Sequence, residues 1–138
     1  MLIESLLDAA GRFPAKPVAV DPFRRLTFGQ LTTLAKAIRR LVLKETDCQR
    51  VGLMLPGTAG GLGTLLGILW AGRTVIPLNF LLQAQELAGI VRDAGIDLII
   101  STKYFEQMLS ALLMDYTLER RSQQAREHLR RCYRCGSH

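Results

Sequence analysis

At 138 residues, 49% of them hydrophobic and 22% charged, the chain has the size and composition of one soluble globular domain and not of a disordered segment. Its formal charge of +6 is unevenly placed: residues 116–138 hold six Arg against two Glu while residues 1–115 are nearly balanced, so the body has no composition-based nucleic-acid role. The three cysteines, Cys48, Cys132 and Cys135, are an odd count without a framework spacing, which argues against a disulfide-stapled secreted scaffold.

The N-terminal segment MLIESLLDAAGRF predicts an amphipathic helix from Leu2 to about Phe13, with Leu2, Leu6, Ala9, Ala10 and Phe13 on one side. Pro14 and Pro17 end it. It has no basic n-region, and Glu4 and Asp8 interrupt its apolar residues, so it is not a signal peptide and a cytoplasmic location is expected. PVAV (17–20) and RLTF (25–28) read as short strands around the turn chemistry of DPFRR (21–25).

Thr27 and Gln30 form a capping-box pattern, with Leu26 and Leu31 at the flanking staple positions. The helix they open repeats Leu31, Leu34, Ala35, Ile38 and Leu41 or Val42, and leaves Lys36, Arg39 and Arg40 on a solvated face. RVGLMLP (50–56) reads as a buried strand stopped by Pro. From Val51 to Gly72 run 22 uncharged residues, long enough to span a bilayer. Seven are Gly and one is Pro56, which disfavour a continuous helix, so the run divides into strand, turn and helix and no transmembrane segment is expected.

That helix, from about Ala59 to Ala71, has an apolar stripe of Leu62, Leu65, Leu66 and Leu69. A second stripe of Gly60, Gly63, Gly67 and Ala71 predicts close seating on a sheet. TVIPLN (74–79) is the next strand. A helix over 84–94 follows, with Leu87, Ile90, Val91 and Ala94 inward and Gly95 as its stop. DLIIS (97–101) is a further strand, with a helix beginning near Thr102. This alternation predicts an α/β fold, a partial parallel sheet with flanking helices. Beyond Leu113 the patterning stops, and only Leu118 and Leu129 remain as large aliphatics in residues 116–138. The expected organisation is an α/β lobe over 1–113 and an Arg-rich tail, polar helical or disordered, over 114–138.

Few residues suggest chemistry. GTAGGLG (57–63) follows a strand, but Gly61, Gly63 and Gly67 are one residue out of register with a dinucleotide fingerprint. No Gly-Lys-Ser/Thr occurs, so these glycines read as packing residues. Cys132 and Cys135 with His138 make half a zinc site; Cys48 and His128 are the other soft ligands, at unhelpful spacing, and no metal is expected. Both histidines lie in the tail, which removes a Ser-His-Asp or Cys-His arrangement from the body. Asp93 and Asp97 read as solvated charges at a helix end.

The order of segments carries more than any one motif. RLTFGQL, then RVGLMLP, then a small-residue helix ending GILWAGRTVIPLN, then QELAGIVRDAGIDLIIST resembles the N-terminal part of the adenylate-forming, AMP-binding acyl-activating ligases. The points of likeness are Thr27-Phe28-Gly29-Gln30-Leu31, Leu55-Pro56, Ala71-Gly72 and Ile76-Pro77-Leu78-Asn79, across about residues 1–108. LNFLLQAQEL and STKYFEQML look most like fatty acyl-CoA and acyl-carrier-protein ligases.

The resemblance implies the N-terminal lobe of such a ligase. Its full-length relatives activate a carboxylate with ATP and Mg to an acyl-adenylate and pass the acyl group to CoA or a carrier protein. That chemistry needs a Ser/Thr- and Gly-rich phosphate loop with its Lys. Here Lys16, Lys36, Lys44 and Lys103 stand in no such context, so no catalytic, cofactor-binding or metal residue carries over. The chain by itself is expected to be catalytically inactive, as a truncated product or gene-model fragment with a tail foreign to the family. The alternative expectation is a small interaction protein that binds an acidic partner through the basic tail, with no specific nucleic acid.

Overall fold

In a computed structural model that describes residues 1–105 and Leu109, the chain forms two compact units. The first comprises Met1–Lys44 and Pro56–Arg73; the second comprises Glu45–Leu55 and the described residues from Thr74 onward.

The first unit begins with helix α1 (Leu2–Arg12), strands β1 (Pro17–Val20) and β2 (Arg25–Thr27), and helix α2 (Phe28–Glu45). Helix α3 (Ala59–Trp70) completes it. Only four residues join β1 to β2, too few for a parallel crossover, and the two strands pair antiparallel as a separate two-stranded sheet. Both bonds of the predicted capping box are present: Gln30 N–H donates to Thr27 Oγ1 at 3.3 Å and Thr27 N–H to Gln30 Oε1 at 3.0 Å. Leu26 and Leu31 share a core with Leu6, Ala35 and Leu66. Of the face predicted for α1 only Leu6 is buried; Leu2 and Phe13 stay exposed.

The glycine stripe of α3 seats elsewhere than predicted. A Cβ on Gly67 would stand 2.5 Å from Ile38 Cβ and 2.7 Å from the Ala35 carbonyl oxygen, and one on Gly63 would lie 2.9 Å from Leu34 Cγ. The small residues therefore admit helix α2, a helix-on-helix contact, where the pattern had suggested a sheet. Gly60 needs no such space, since its nearest neighbour would be Thr58 Oγ1 at 3.9 Å. Leu62 and Leu69, assigned to the apolar stripe, are exposed, whereas Ile68 is fully buried.

The second unit is built on β3 (Arg50–Met54), β4 (Thr74–Pro77), helix α4 (Ala84–Ala94) and β5 (Ile99–Ser101), followed by a 3-10 turn at Lys103–Phe105. The strands form a parallel sheet of order β4-β3-β5, as the alternation predicted. Helix α4 lays Leu87, Ala88 and Val91 against Met54, Leu78 and Ile99, and Phe105 and Leu109 join the same core. Gly95 ends α4 in the left-handed region, φ +63°, a conformation that Gly adopts without the Cβ penalty. Among the described residues no helix is long and apolar enough to cross a membrane, because the uncharged run is split between β3 and α3.

Candidate functional site

The glycine-rich turn before α3 is where the sequence comes nearest to a phosphate loop, so the fate of its amides decides what it can bind. Thr58, in extended backbone, is the N-cap, and its Oγ1 accepts the Gly61 N–H at 3.1 Å. The Leu62 N–H donates to the Thr58 carbonyl at 3.0 Å. The Ala59 N–H donates to Asp21 Oδ2 at 2.8 Å, while Oδ1 of the same carboxylate accepts the N–H groups of Phe23 and Arg24 at 2.7 and 2.8 Å.

Backbone donation from Ala59, then from Phe23, holds the Asp21 carboxyl below its ordinary pKa. A fixed carboxylate thus already occupies the anion position at this helix N-terminus. A phosphate there would meet like charge, with the Ala59, Gly61 and Leu62 amides already engaged, and it is Gly63 and Gly67 that serve close packing, against α2. The sequence marked Asp21 only as a turn residue. Its bond to Ala59, 38 residues away, had no local signal.

In the second unit the chain order reverses between β3 and β5, and in open α/β sheets ligand crevices lie beyond the carboxyl ends of strands at such a reversal. Here the two ends are tied together: Ser101 Oγ donates to the Met54 carbonyl at 2.9 Å, and both residues are buried. Beyond them Phe80 stacks on Phe105 with centroids 5.0 Å apart, and Tyr104, 87% exposed, meets the same ring edge-on at 5.1 Å. This edge offers an apolar aromatic ledge with Thr102 and Lys103 beside it. It brings together no nucleophile and base.

The opposite, amino-terminal end of the sheet corrects one sequence expectation. Asp93 is exposed as predicted, but Asp97 is buried at 7% exposure, beside Thr46 at 4%. Thr46 Oγ1 donates to Asp97 Oδ1 and accepts the Cys48 N–H at 2.9 Å. Cys48 Sγ donates to the Gly95 carbonyl at 3.1 Å and Arg50 to that of Ala94 at 3.2 Å. These bonds join the loop before β3 to the loop before β5, so Asp97 is a packed structural carboxylate and Cys48 a partnered thiol. Among the described residues no group of three His, Cys, Asp or Glu stands together to hold a metal. Cys132, Cys135, His128 and His138 lie outside the described residues.

Fold and site together define the class: a parallel α/β lobe whose order of elements is that of ligase N-terminal regions and which brings together no catalytic group among the described residues. Residues 6–133 match the family profile described as AMP-binding enzyme, and the chain belongs to that family. The match runs past residue 113 into the Arg-rich segment. Syringomycin synthase SyrB1 of Pseudomonas syringae pv. syringae is 35% identical over 101 residues, 72% of this chain and 16% of that protein. A long-chain-fatty-acid–CoA ligase of Bacillus subtilis is 34% identical over 100 residues, 70% of this chain and 18% of that protein. Among solved structures, the anthranilate CoA ligase AuaEII in complex with anthranoyl-AMP matches 80% of this chain and 22% of its own, with a TM-score of 0.73 and 23% identity. The chain therefore spans less than a fifth of the length of these two sequence relatives.

Proposed function

We propose that the chain forms the N-terminal lobe of an adenylate-forming acyl-activating ligase, with residues 1–113 as the lobe and 114–138 as a separate Arg-rich segment. The whole enzyme would condense a carboxylate with ATP and Mg to an acyl-adenylate and pyrophosphate, then pass the acyl group to the thiol of CoA or a carrier protein. A fatty acid is the carboxylate we favour, supported by the likeness to the long-chain-fatty-acid–CoA ligase, whereas the syringomycin synthase likeness leaves an amino acid as the competing substrate. The reading rests on one observation above all: the order β3-α3-β4-α4-β5 with its parallel β4-β3-β5 sheet, in a chain whose family match covers residues 6–133.

In this reading the lobe contributes scaffold, and ATP and Mg are held by residues other than those of this chain. The test has two arms. The isolated chain is assayed for carboxylate-dependent exchange of pyrophosphate into ATP with palmitate and with a set of amino acids, and none is expected. Residues 6–113 are then grafted in place of the matching segment of the Bacillus subtilis ligase, and the graft is expected to retain palmitate-dependent exchange. Exchange by the isolated chain would overturn its inactivity, and a folded graft without exchange would overturn the lobe assignment.

A further inference from the structure

Helix α2 shows two faces of opposite character. One, carrying Leu31, Ala35 and Val42, is buried, and Leu34 and Ile38 beside it meet Gly63 and Gly67 of α3. On the opposite side Lys36, Arg40 and Lys44 are exposed at four-residue intervals, with Thr33, Ala37 and Leu43 as the exposed residues between and around them. The ion pairs Met1–Glu4 and Arg12–Asp8 involve none of these three cations. The neighbouring Arg39 is engaged differently, donating to the Trp70 carbonyl at 3.3 Å with its guanidinium over the indole ring. Within α2 the only acidic residue is Glu45, at its last position.

We propose that this face of α2 is a docking surface for an acidic helix of a protein partner. A rise of about 1.5 Å per residue sets the three cations about 6 Å apart along the helix, the interval at which carboxylates recur every fourth residue on a second helix. Thr33 and Ala37 keep the seam low, so a partner helix can lie along it. The capping box at one end and the α3 contact behind hold the line of charge rigid before any partner arrives. Preorganised complementary charge of this kind sets orientation and association rate. A membrane surface fits less well: the face carries a single exposed large apolar residue, Leu43, and no aromatic. This inference does not depend on the ligase reading.

The test uses the full chain and two labelled helical peptides of equal composition, one with Glu at every fourth position on one face and one with the same Glu residues spread around the helix. Fluorescence anisotropy at low and at moderate salt gives both affinities. The one-faced peptide should bind more tightly, and a K36Q/R40Q/K44Q variant should weaken that binding about tenfold while flattening its salt dependence. A K36E/R40E/K44E variant should bind the matching peptide with Lys in place of Glu, a rescue that a fold defect cannot produce; circular dichroism checks that the variants are folded. Equal binding of the two peptides would overturn the proposal. So would full retention of binding in the Gln variant, which would place the attraction elsewhere, for example in the Arg-rich segment. Tighter binding to a single-stranded DNA 20-mer or to phosphatidylserine vesicles would overturn it in favour of a general polyanion surface.

Discussion

Replacing Gly67 by Ala tests whether the glycines of α3 serve helix packing. In an open helix position this change stabilises by about 1 kcal/mol, because Gly loses more backbone entropy than Ala. At Gly67 the new Cβ would sit 2.5 Å from Ile38 Cβ and 2.7 Å from the Ala35 carbonyl oxygen, and neither atom is the free end of a side chain that can swing aside. Overpacking of this kind costs about 1–3 kcal/mol, and the immobility of both atoms puts Gly67 at the upper end, a net loss of about 2 kcal/mol after the propensity gain. Gly60 is the internal control, because its nearest neighbour is 3.9 Å away and Ala there should be neutral or stabilising by up to about 1 kcal/mol. Gly63 falls between them, since the atoms in its way belong to the mobile end of Leu34. Urea unfolding of the three variants should therefore rank their midpoints G60A above G63A above G67A. If G67A unfolds no more easily than G60A, the close approach of α3 to α2 is refuted.

The Thr46–Asp97 bond is buried, so Asp97→Ala, which leaves the Thr46 hydroxyl without that acceptor, should cost about 1–3 kcal/mol in the same assay; a change within error would return Asp97 to the solvated role first assigned to it. Gly95→Ala forces a side chain into the left-handed region and should destabilise by about 1–2 kcal/mol, whereas Gly57→Ala, with open space around it, gives no steric reason for loss. Asp21 sets a pH dependence. Its folded pKa is depressed by backbone donation, first from Ala59 and then from Phe23, so its stabilising effect is present at neutral pH and is lost as pH falls below about 4. Asp21→Asn should lower the urea midpoint at pH 7, and the gap to the native protein should close towards pH 3. Glu4, lowered by the N-terminal ammonium, contributes with the same sign and is unchanged in both proteins. A gap that stays constant from pH 7 to pH 3 would contradict the Asp21 assignment.

Local signals located nearly every element of this lobe. The Thr27/Gln30 box, the Gly95 stop and the helical spacing of Leu87 and Val91 each depend on residues within about a turn of one another, and each appears where the sequence put it. The order of those segments also carried the family, because order survives where single motifs have drifted. What the sequence left open were matters of long-range partnership. A stripe of small residues states that something approaches closely but not what, and the approach of Leu34, Ala35 and Ile38 made that neighbour a helix.

Asp97 beside α4 has the local look of a solvated charge; only the arrival of Thr46, 51 residues earlier, buries it. Asp21 reads as a turn former until Ala59 folds onto its second oxygen. The candidate site followed the same division. Sequence could exclude a phosphate loop by its missing lysine, but only the tertiary structure showed that a carboxylate of the chain itself fills the anion position at the start of α3. Periodicity and capping are encoded within a few residues, whereas the partner of a buried polar group or of a glycine face is chosen by chain segments that meet only when the fold closes.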